Sequence, residues 1–93
     1  TGVGGAVAAA IGQRLAKLSD GVQVLAITHL PQVAAWAKTH YCVQKKTVVE
    51  GNQTTVTALS DHQRIDELAR MISGSTITPE ALSMAKQLLS SNA

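Results

Sequence analysis

A histidine stands in this sequence at a position where open α/β sheets bind their ligands. His29 and Thr28 follow the short apolar run at residues 22–27, and Leu30 and Pro31 come next. A short apolar run without strict alternation is typical of a strand buried on both faces. A polar residue just past the carboxyl end of such a strand lies in the ligand crevice. We therefore predict that the His29 imidazole donates a hydrogen bond to an oxyanion or phosphate, assisted by Thr28; the alternative is a packing or capping role.

A glycine-rich segment opens the chain and leads into a helix. Its residues are Thr1, Gly2, Val3, Gly4 and Gly5. Backbone N–H groups at a helix N-terminus attract anions, so the segment is a candidate phosphate cradle. It lacks the third glycine of a dinucleotide fingerprint, however, and the chain contains no G-x-x-x-x-G-K-[ST] motif. Taken without context, the segment is interpreted as a turn.

The other residues capable of chemistry are too isolated to predict a site. His40 and Cys42 are two apart on a predicted strand and face one side, but two ligands without a third predict no metal site. His62, near a helix start, is interpreted as a solvated surface residue. Lys45 and Lys46 do not make a basic patch, and we expect them on a solvated hairpin.

Composition favours an ordinary soluble domain. The 93 residues carry a net charge of +2 with 15% charged residues, which gives no strong attraction to nucleic acid or membrane. No apolar run approaches the roughly 20 residues that span a bilayer, and no signal segment is recognised at the start. The single Cys42 fits a reducing compartment. Because the chain starts with Thr1 and a glycine run, we expect it to be a piece of a longer protein.

Apolar spacing predicts the elements that position these residues. Residues 6–18 have helical spacing with one apolar stripe, formed by Val7, Ala10, Ile11, Leu15 and Leu18. After the central strand at 22–27, Pro31 opens a short helix over residues 30–38. Strands at 41–49 and 54–59 form a hairpin. We predict a type II′ turn centred on Gly51 and Asn52, with Val49 opposite Thr54 and, by the same register, Thr47 opposite Val56.

Two helices complete the predicted order. Ser60 and Gln63 have the form of a capping box, and Gly74 is placed for a C-terminal cap. Thr78 and Pro79 signal the start of the last helix. The predicted apolar positions of the two helices are Ile65, Leu68, Ala69, Ile72, Leu82, Ala85, Leu88 and Leu89. One parallel-type strand cannot make a sheet alone, so we expect its partner strands outside this chain.

Three segments resemble a known family. They read T-G-V-G-G-A-V-A from residue 1, V-L-A-I-T-H-L-P-Q-V-A-A-W-A from residue 24, and R-I-D-E-L-A-R-M-I-S-G from residue 64. Together they are similar to the C-terminal end of the RecN family of bacterial recombinational repair proteins, which have an SMC-like, ABC-type ATPase head. The resemblance implies an α/β fold in which residues 1–93 form the C-terminal portion of a P-loop ATPase head, an incomplete sheet with flanking helices and a β-hairpin.

The resemblance also implies roles for single residues. Thr1, Gly2, Val3, Gly4 and Gly5 match the D-loop, which works across a nucleotide-sandwiched dimer of heads. His29 matches the switch histidine, which contacts the γ-phosphate and helps to orient the hydrolytic water. The Walker A loop, coiled coil, signature motif and Walker B acids are expected before Thr1. We therefore expect the 93-residue chain alone neither to hydrolyse ATP nor to bind ATP and Mg²⁺ tightly.

The implied setting is a bacterial cytoplasmic, nucleoid-associated protein that repairs DNA double-strand breaks. Its implied partners are the remainder of the same head, a second head in a homodimer, and DNA through the parent protein, with no membrane. Two other interpretations stay open. One is a non-catalytic α/β module that pairs through an exposed strand edge. The other is a piece of a hydrolase in which His29 is a general base, although the chain has no G-x-S-x-G motif.

Overall fold

The described part of the chain is a mixture of helices and a two-stranded hairpin, of which the helices and the hairpin were predicted. The computed structural model describes residues 4–92. In chain order the elements are α1 (Gly5–Leu18), α2 (Pro31–Ala34), β1 (Tyr41–Val48), β2 (Gly51–Ala58), α3 (Asp61–Ser73) and α4 (Pro79–Ser91). The sheet in this part of the chain consists of β1 and β2 in antiparallel pairing.

The core lies where α2, α3 and α4 meet. Its buried residues are Ala34, Ala35, Leu68, Ala69, Ala81 and Ala85. Leu68 is the largest fully buried side chain in it. Because the other members of the core are alanines, the helices approach one another closely. Each alanine side chain buries only a small apolar area. The predicted apolar faces of α3 and α4 are confirmed, since their remaining predicted positions are partly buried against this cluster.

The ends of α3 and α4 follow local sequence signals. The Ser60 hydroxyl accepts a hydrogen bond from the Gln63 N–H at 3.2 Å, and the Gln63 side chain accepts one from the Ser60 N–H at 2.9 Å. Gly74 ends α3 with a φ of 87°, a value that favours glycine. The Thr78 hydroxyl caps α4, which starts at Pro79. The predicted capping box and both start and stop signals are confirmed.

The predicted central strand is not formed in this part of the chain. Residues 23–28 have no regular structure, and Leu25 and Ile27 are 84% and 99% exposed. A strand needs a neighbour for its N–H and C=O groups, and the described chain offers none beside this segment. The accessible surface of 6910 Å² also exceeds the roughly 5100 Å² expected of a compact protein of this mass. The prediction of a buried strand is therefore wrong for the chain as it stands.

Helix α1 buries a different face from the predicted one. Val7, Ile11 and Leu18 are 56%, 44% and 56% exposed. The buried positions are instead Ala8 and Gly12. These two small residues let α2 approach α1 closely. The resulting close contact determines which face of α1 is turned toward α2. Helix α2 is itself shorter than predicted, because it ends at Ala34 rather than near residue 38.

The hairpin has a different register from the predicted one. Val48 pairs with Gly51 and Val43 with Val56, so the two turn residues are Val49 and Glu50. In residues 4–92 no residue other than glycine has a positive φ, whereas type I′ and II′ turns require one at the first central position. The predicted type II′ turn is therefore wrong. Gly51 has a φ of 120° and follows the turn instead of opening it.

Candidate functional site

His29 lies at the junction between an irregular segment and helix α2. It is exposed to solvent and stands two residues before Pro31, the first residue of α2. The preceding Thr28 does not reach a distant group. Its hydroxyl accepts a hydrogen bond from the Leu30 N–H at 3.0 Å. Thr28 therefore shapes the turn that carries His29 into the helix.

The glycine-rich segment is described only in its last two residues. Thr1, Gly2 and Val3 lie outside the described residues. Gly4 is the N-cap of α1, with extended backbone angles, and Gly5 is the first helical residue. No side chain caps this end. Backbone N–H groups in the first turn of a helix have no intrahelical acceptor, so their partial positive charge is available to an anion.

The structure brings the start of α1 beside the start of α2. A Cβ atom placed on Gly5 would lie 3.7 Å from the side-chain nitrogen of Gln32, three residues after His29. Further along the same contact, a Cβ atom on Gly12 would meet Cδ1 of Trp36 at 2.5 Å. The end of the glycine-rich segment and the turn that holds His29 are thus parts of one packed unit.

Helix α3 holds the other end of α2 through Arg64. The Arg64 Nη2 atom donates to the carbonyl oxygens of Ala34, Ala35 and Ala37 at 3.1, 3.2 and 2.5 Å. Carbonyl groups at a helix C-terminus lack intrahelical donors and carry partial negative charge, so a cation is favoured there. Sequence reasoning missed this contact. Its acceptors are backbone atoms 27 to 30 residues away, for which no sequence signal exists.

A group of charged residues surrounds this contact. Burial lowers the pKa of His40 below its usual value; the Arg64 charge adds to this effect and Glu67 opposes it. The His40 Nδ1 atom is buried without a hydrogen-bond partner in the described chain. Burial also lowers the pKa of Arg64, against the opposing charge of Asp61. Arg70 differs from Arg64, because it is exposed and pairs with Glu67 on its own helix, which raises the pKa of Arg70.

The other candidate residues are not brought into a common site. Within residues 4–92 no three His, Cys, Asp or Glu side chains come together as they would around a metal ion. A shallow depression of about 350 Å³ lies between the hairpin and α3, where Cys42, Glu67 and Arg70 are among its lining residues. His29 does not line it. The His62 side chain is 88% exposed, which confirms the prediction of a solvated position.

Neither the lysines of the hairpin nor the helices of the described residues indicate a further site. Lys45 and Lys46 lie on exposed strand β1, as predicted for a solvated hairpin. Among the described residues, no helix has both the length and the apolar character that crossing a bilayer requires.

Comparison with known proteins identifies a consistent set of relatives. The chain is 50% identical over 88 residues to the DNA repair protein RecN of Rickettsia felis, an overlap of 95% of this chain and 16% of that protein. It is 48% identical to the RecN of Halalkalibacterium halodurans and 45% identical to that of Xylella fastidiosa, each over 89 residues, 96% of this chain and 16% of theirs. No protein-family model matches. By this similarity the chain belongs with the DNA repair proteins named RecN, as a C-terminal segment about a sixth of their length.

Proposed function

We propose that this chain is part of an SMC-like, ABC-type ATPase head that acts in recombinational repair of DNA double-strand breaks. The observation that carries the proposal is the 50% identity to a DNA repair protein RecN along almost the whole chain. In this proposal His29 is the switch histidine, and residues 1–5 form the D-loop that works across a dimer of heads.

The surroundings of His29 support this role. Its side chain is exposed at the end of an irregular segment, so a phosphate group can approach it from solvent. Phosphoryl transfer depends mainly on positioning and on electrostatic stabilisation. An imidazole N–H is a directional donor to a γ-phosphate oxygen, and an imidazole nitrogen can also hold the attacking water. The packing of Gly5 beside Gln32 keeps the start of α1 close to this turn.

ATP is the proposed substrate, and Mg²⁺ neutralises charge on its phosphates when bound. The donors that this segment offers near His29 are an imidazole and backbone N–H groups, which suit phosphate oxygens. Mg²⁺ prefers carboxylate and other oxygen ligands. We therefore assign the Mg²⁺ ligands and the phosphate-binding loop to the remainder of the head, and we expect the isolated chain to show no magnesium-dependent turnover of ATP.

The proposed partners follow from the same assignment. They are the remainder of the head, a second head in a homodimer, and DNA through the parent protein, in the bacterial cytoplasm close to the nucleoid. Helices α3 and α4 carry no chemistry of their own in this proposal. Their role is to form the core against which α2 is packed.

The test is ATP hydrolysis by the full-length parent with His29 replaced. We expect His29→Ala to lower turnover by about ten- to a thousandfold, the range for loss of one transition-state donor, while nucleotide binding survives. The matched control is His62→Ala, since His62 is an exposed histidine on α3 and lies outside the proposed site. Turnover that is unchanged in His29→Ala would overturn the proposal for this residue.

A second candidate function is a non-catalytic interaction module. It is favoured by the exposed apolar side chains of residues 22–27, where Val22, Leu25 and Ile27 are 55%, 84% and 99% exposed. Sedimentation of the 93-residue chain distinguishes the two. Concentration-dependent association that Leu25→Asp abolishes, together with a full-length His29→Ala variant of normal turnover, would favour this second function.

A further inference from the structure

The position of α2 is determined by contacts on several sides. Trp36, just beyond its end, packs over Gly12 of α1. Ala34 and Ala35 are buried in the core formed with α3 and α4. Arg64 adds a charged contact, since its guanidinium donates to three carbonyl groups at the carboxyl end of α2. This arrangement links α3 to a four-residue helix that is too short to be stable alone.

The same short helix begins just after His29. The Leu30 carbonyl accepts hydrogen bonds from the N–H groups of Val33 and Ala34, both at 3.0 Å. The Leu30 N–H in turn donates to the Thr28 hydroxyl. A continuous series of hydrogen bonds therefore runs from the residue before His29, through the single turn of α2, to Arg64. Because these hydrogen bonds join the carboxyl end of α2 to the residue before His29, we expect a shift at that end to move His29 as well.

We propose that Arg64 is a positioning residue for His29. By holding the carboxyl end of α2 against α3, it determines where the imidazole stands relative to the γ-phosphate. Arg64 lies on α3 and acts through the backbone of α2. This inference rests on the proposed function of His29 and extends it to a residue 35 positions further along the chain.

Arginine suits this place better than lysine. One guanidinium nitrogen carries two hydrogens and serves three carbonyl oxygens from a rigid plane, and the group stays charged when partly buried. Lysine keeps the charge, but its ammonium sits on a flexible stem and is held less firmly in one position. We therefore expect Arg64→Lys to hold α2 in place partly and Arg64→Ala not to hold it.

The test uses the full-length parent and three readouts, which are kcat, nucleotide affinity and amide hydrogen exchange. In Arg64→Ala, we expect kcat for ATP to fall by about tenfold or more, because small misplacements of a catalytic group are costly, while nucleotide affinity stays within about threefold. Arg64→Lys should lie between Arg64→Ala and wild type. Amide hydrogen exchange of residues 33–37 should speed up in Arg64→Ala. Arg70→Ala is the matched control, since Arg70 is an exposed arginine on the same helix, and it should leave all three readouts unchanged.

A double-mutant cycle separates positioning from general destabilisation. If Arg64 acts through His29, Arg64→Ala should change turnover by less than about twofold when His29 is already alanine, because residues that act as a unit are not additive. Equal losses in both backgrounds would refute the proposal, as would wild-type turnover in Arg64→Ala. If Arg64→Ala does not fold, the cycle is run with Arg64→Lys and the same outcomes decide.

The outcomes also distinguish this inference from the proposed function. Unchanged turnover in His29→Ala would defeat the proposed role of His29 itself. A large loss of turnover in His29→Ala, with no loss of turnover in Arg64→Ala, would refute the inference about Arg64 but not the proposed function. Unchanged exchange of residues 33–37 in Arg64→Ala would show that Arg64 does not hold α2.

Discussion

The packing of α1 on α2 depends on the absence of a side chain at Gly12. This residue is buried, and a Cβ atom placed on it would lie 2.5 Å from Cδ1 of Trp36 and 3.2 Å from the Gln32 carbonyl oxygen. Carbon atoms in ordinary contact are roughly 3.5 to 4.0 Å apart. A methyl group at this position therefore forces the indole to turn or the two helices to separate by about 1 Å.

Two opposing effects set the size of the change in Gly12→Ala. Alanine in a helix interior is favoured over glycine by about 1 kcal/mol. Overpacking a close contact costs about 1 to 3 kcal/mol. The free energy of unfolding should therefore fall by about 1 kcal/mol, within a range of about 0 to 2. Gly21→Ala is the matched control, because a Cβ atom on Gly21 meets nothing within 4 Å, and it should raise the free energy of unfolding by about 0.4 to 1 kcal/mol.

The measurement is urea unfolding of the 93-residue chain. Trp36 is the single tryptophan, so its fluorescence reports directly on this contact, and circular dichroism reports on the helices. With a slope of about 1 kcal/mol per molar urea, the expected loss moves the midpoint down by about 1 M. If Gly12→Ala unfolds at the same or a higher urea concentration than Gly21→Ala, the close contact between Gly12 and Trp36 does not exist.

Three further predictions concern the caps, the core and pH. Ser60→Ala should lower the free energy of unfolding by about 1 kcal/mol through loss of the capping box, whereas Ser83→Ala on exposed helix surface should not; thermal unfolding compares them. Leu68→Ala should cost about 2 to 5 kcal/mol, because Leu68 is fully buried, and loss of cooperative unfolding in circular dichroism checks this. Because the pKa of His40 is lowered in the folded chain, the unfolded chain binds more protons below about pH 6.5, so stability should fall as the pH decreases through that range. In urea unfolding at about pH 7.5 and 5.5, His40→Gln should show a smaller fall than wild type, and equal falls would contradict the assignment.

The elements with local signals were predictable from the sequence. The start of α3 depends on Ser60 and Gln63, and the start of α4 on Thr78 and Pro79, in each case through contacts among residues at most three apart. The end of α3 depends on a positive φ at Gly74. Such interactions need no distant partner. The residues that make them can therefore be recognised in the sequence before the fold is known.

The hairpin shows where local signals were insufficient. Gly51 and Asn52 have the composition of a tight turn, yet Val49 and Glu50 form it. The observed register differs by an even number of residues from the predicted one. Because side chains alternate with a period of two, both registers place the same residues on the same face. Alternation alone therefore cannot choose between the two registers. The conformation of the turn and the pairing along the rest of β1 and β2 determine which register forms.

The candidate site divides in the same way. His29 was predictable as a polar residue between an apolar run and Pro31, and the resemblance supplied its proposed role. The contact that holds the following helix was not predictable, because Arg64 donates to backbone carbonyl groups that every residue possesses. Likewise, spacing predicted one apolar stripe on α1, but the small size of Gly12 placed another face against α2.

Signals along the chain were thus sufficient for both ends of α3, the start of α4 and the existence of the hairpin, because caps and apolar spacing act over a few residues. The folded chain was needed to establish which face of α1 is buried, that Arg64 binds the carboxyl end of α2, and that residues 22–27 are unpaired in this part of the chain. These features depend on the shape and availability of partners far away in the sequence. Packing and strand pairing each need two complementary surfaces. The sequence of one segment specifies only the surface of that segment, so it does not identify the partner.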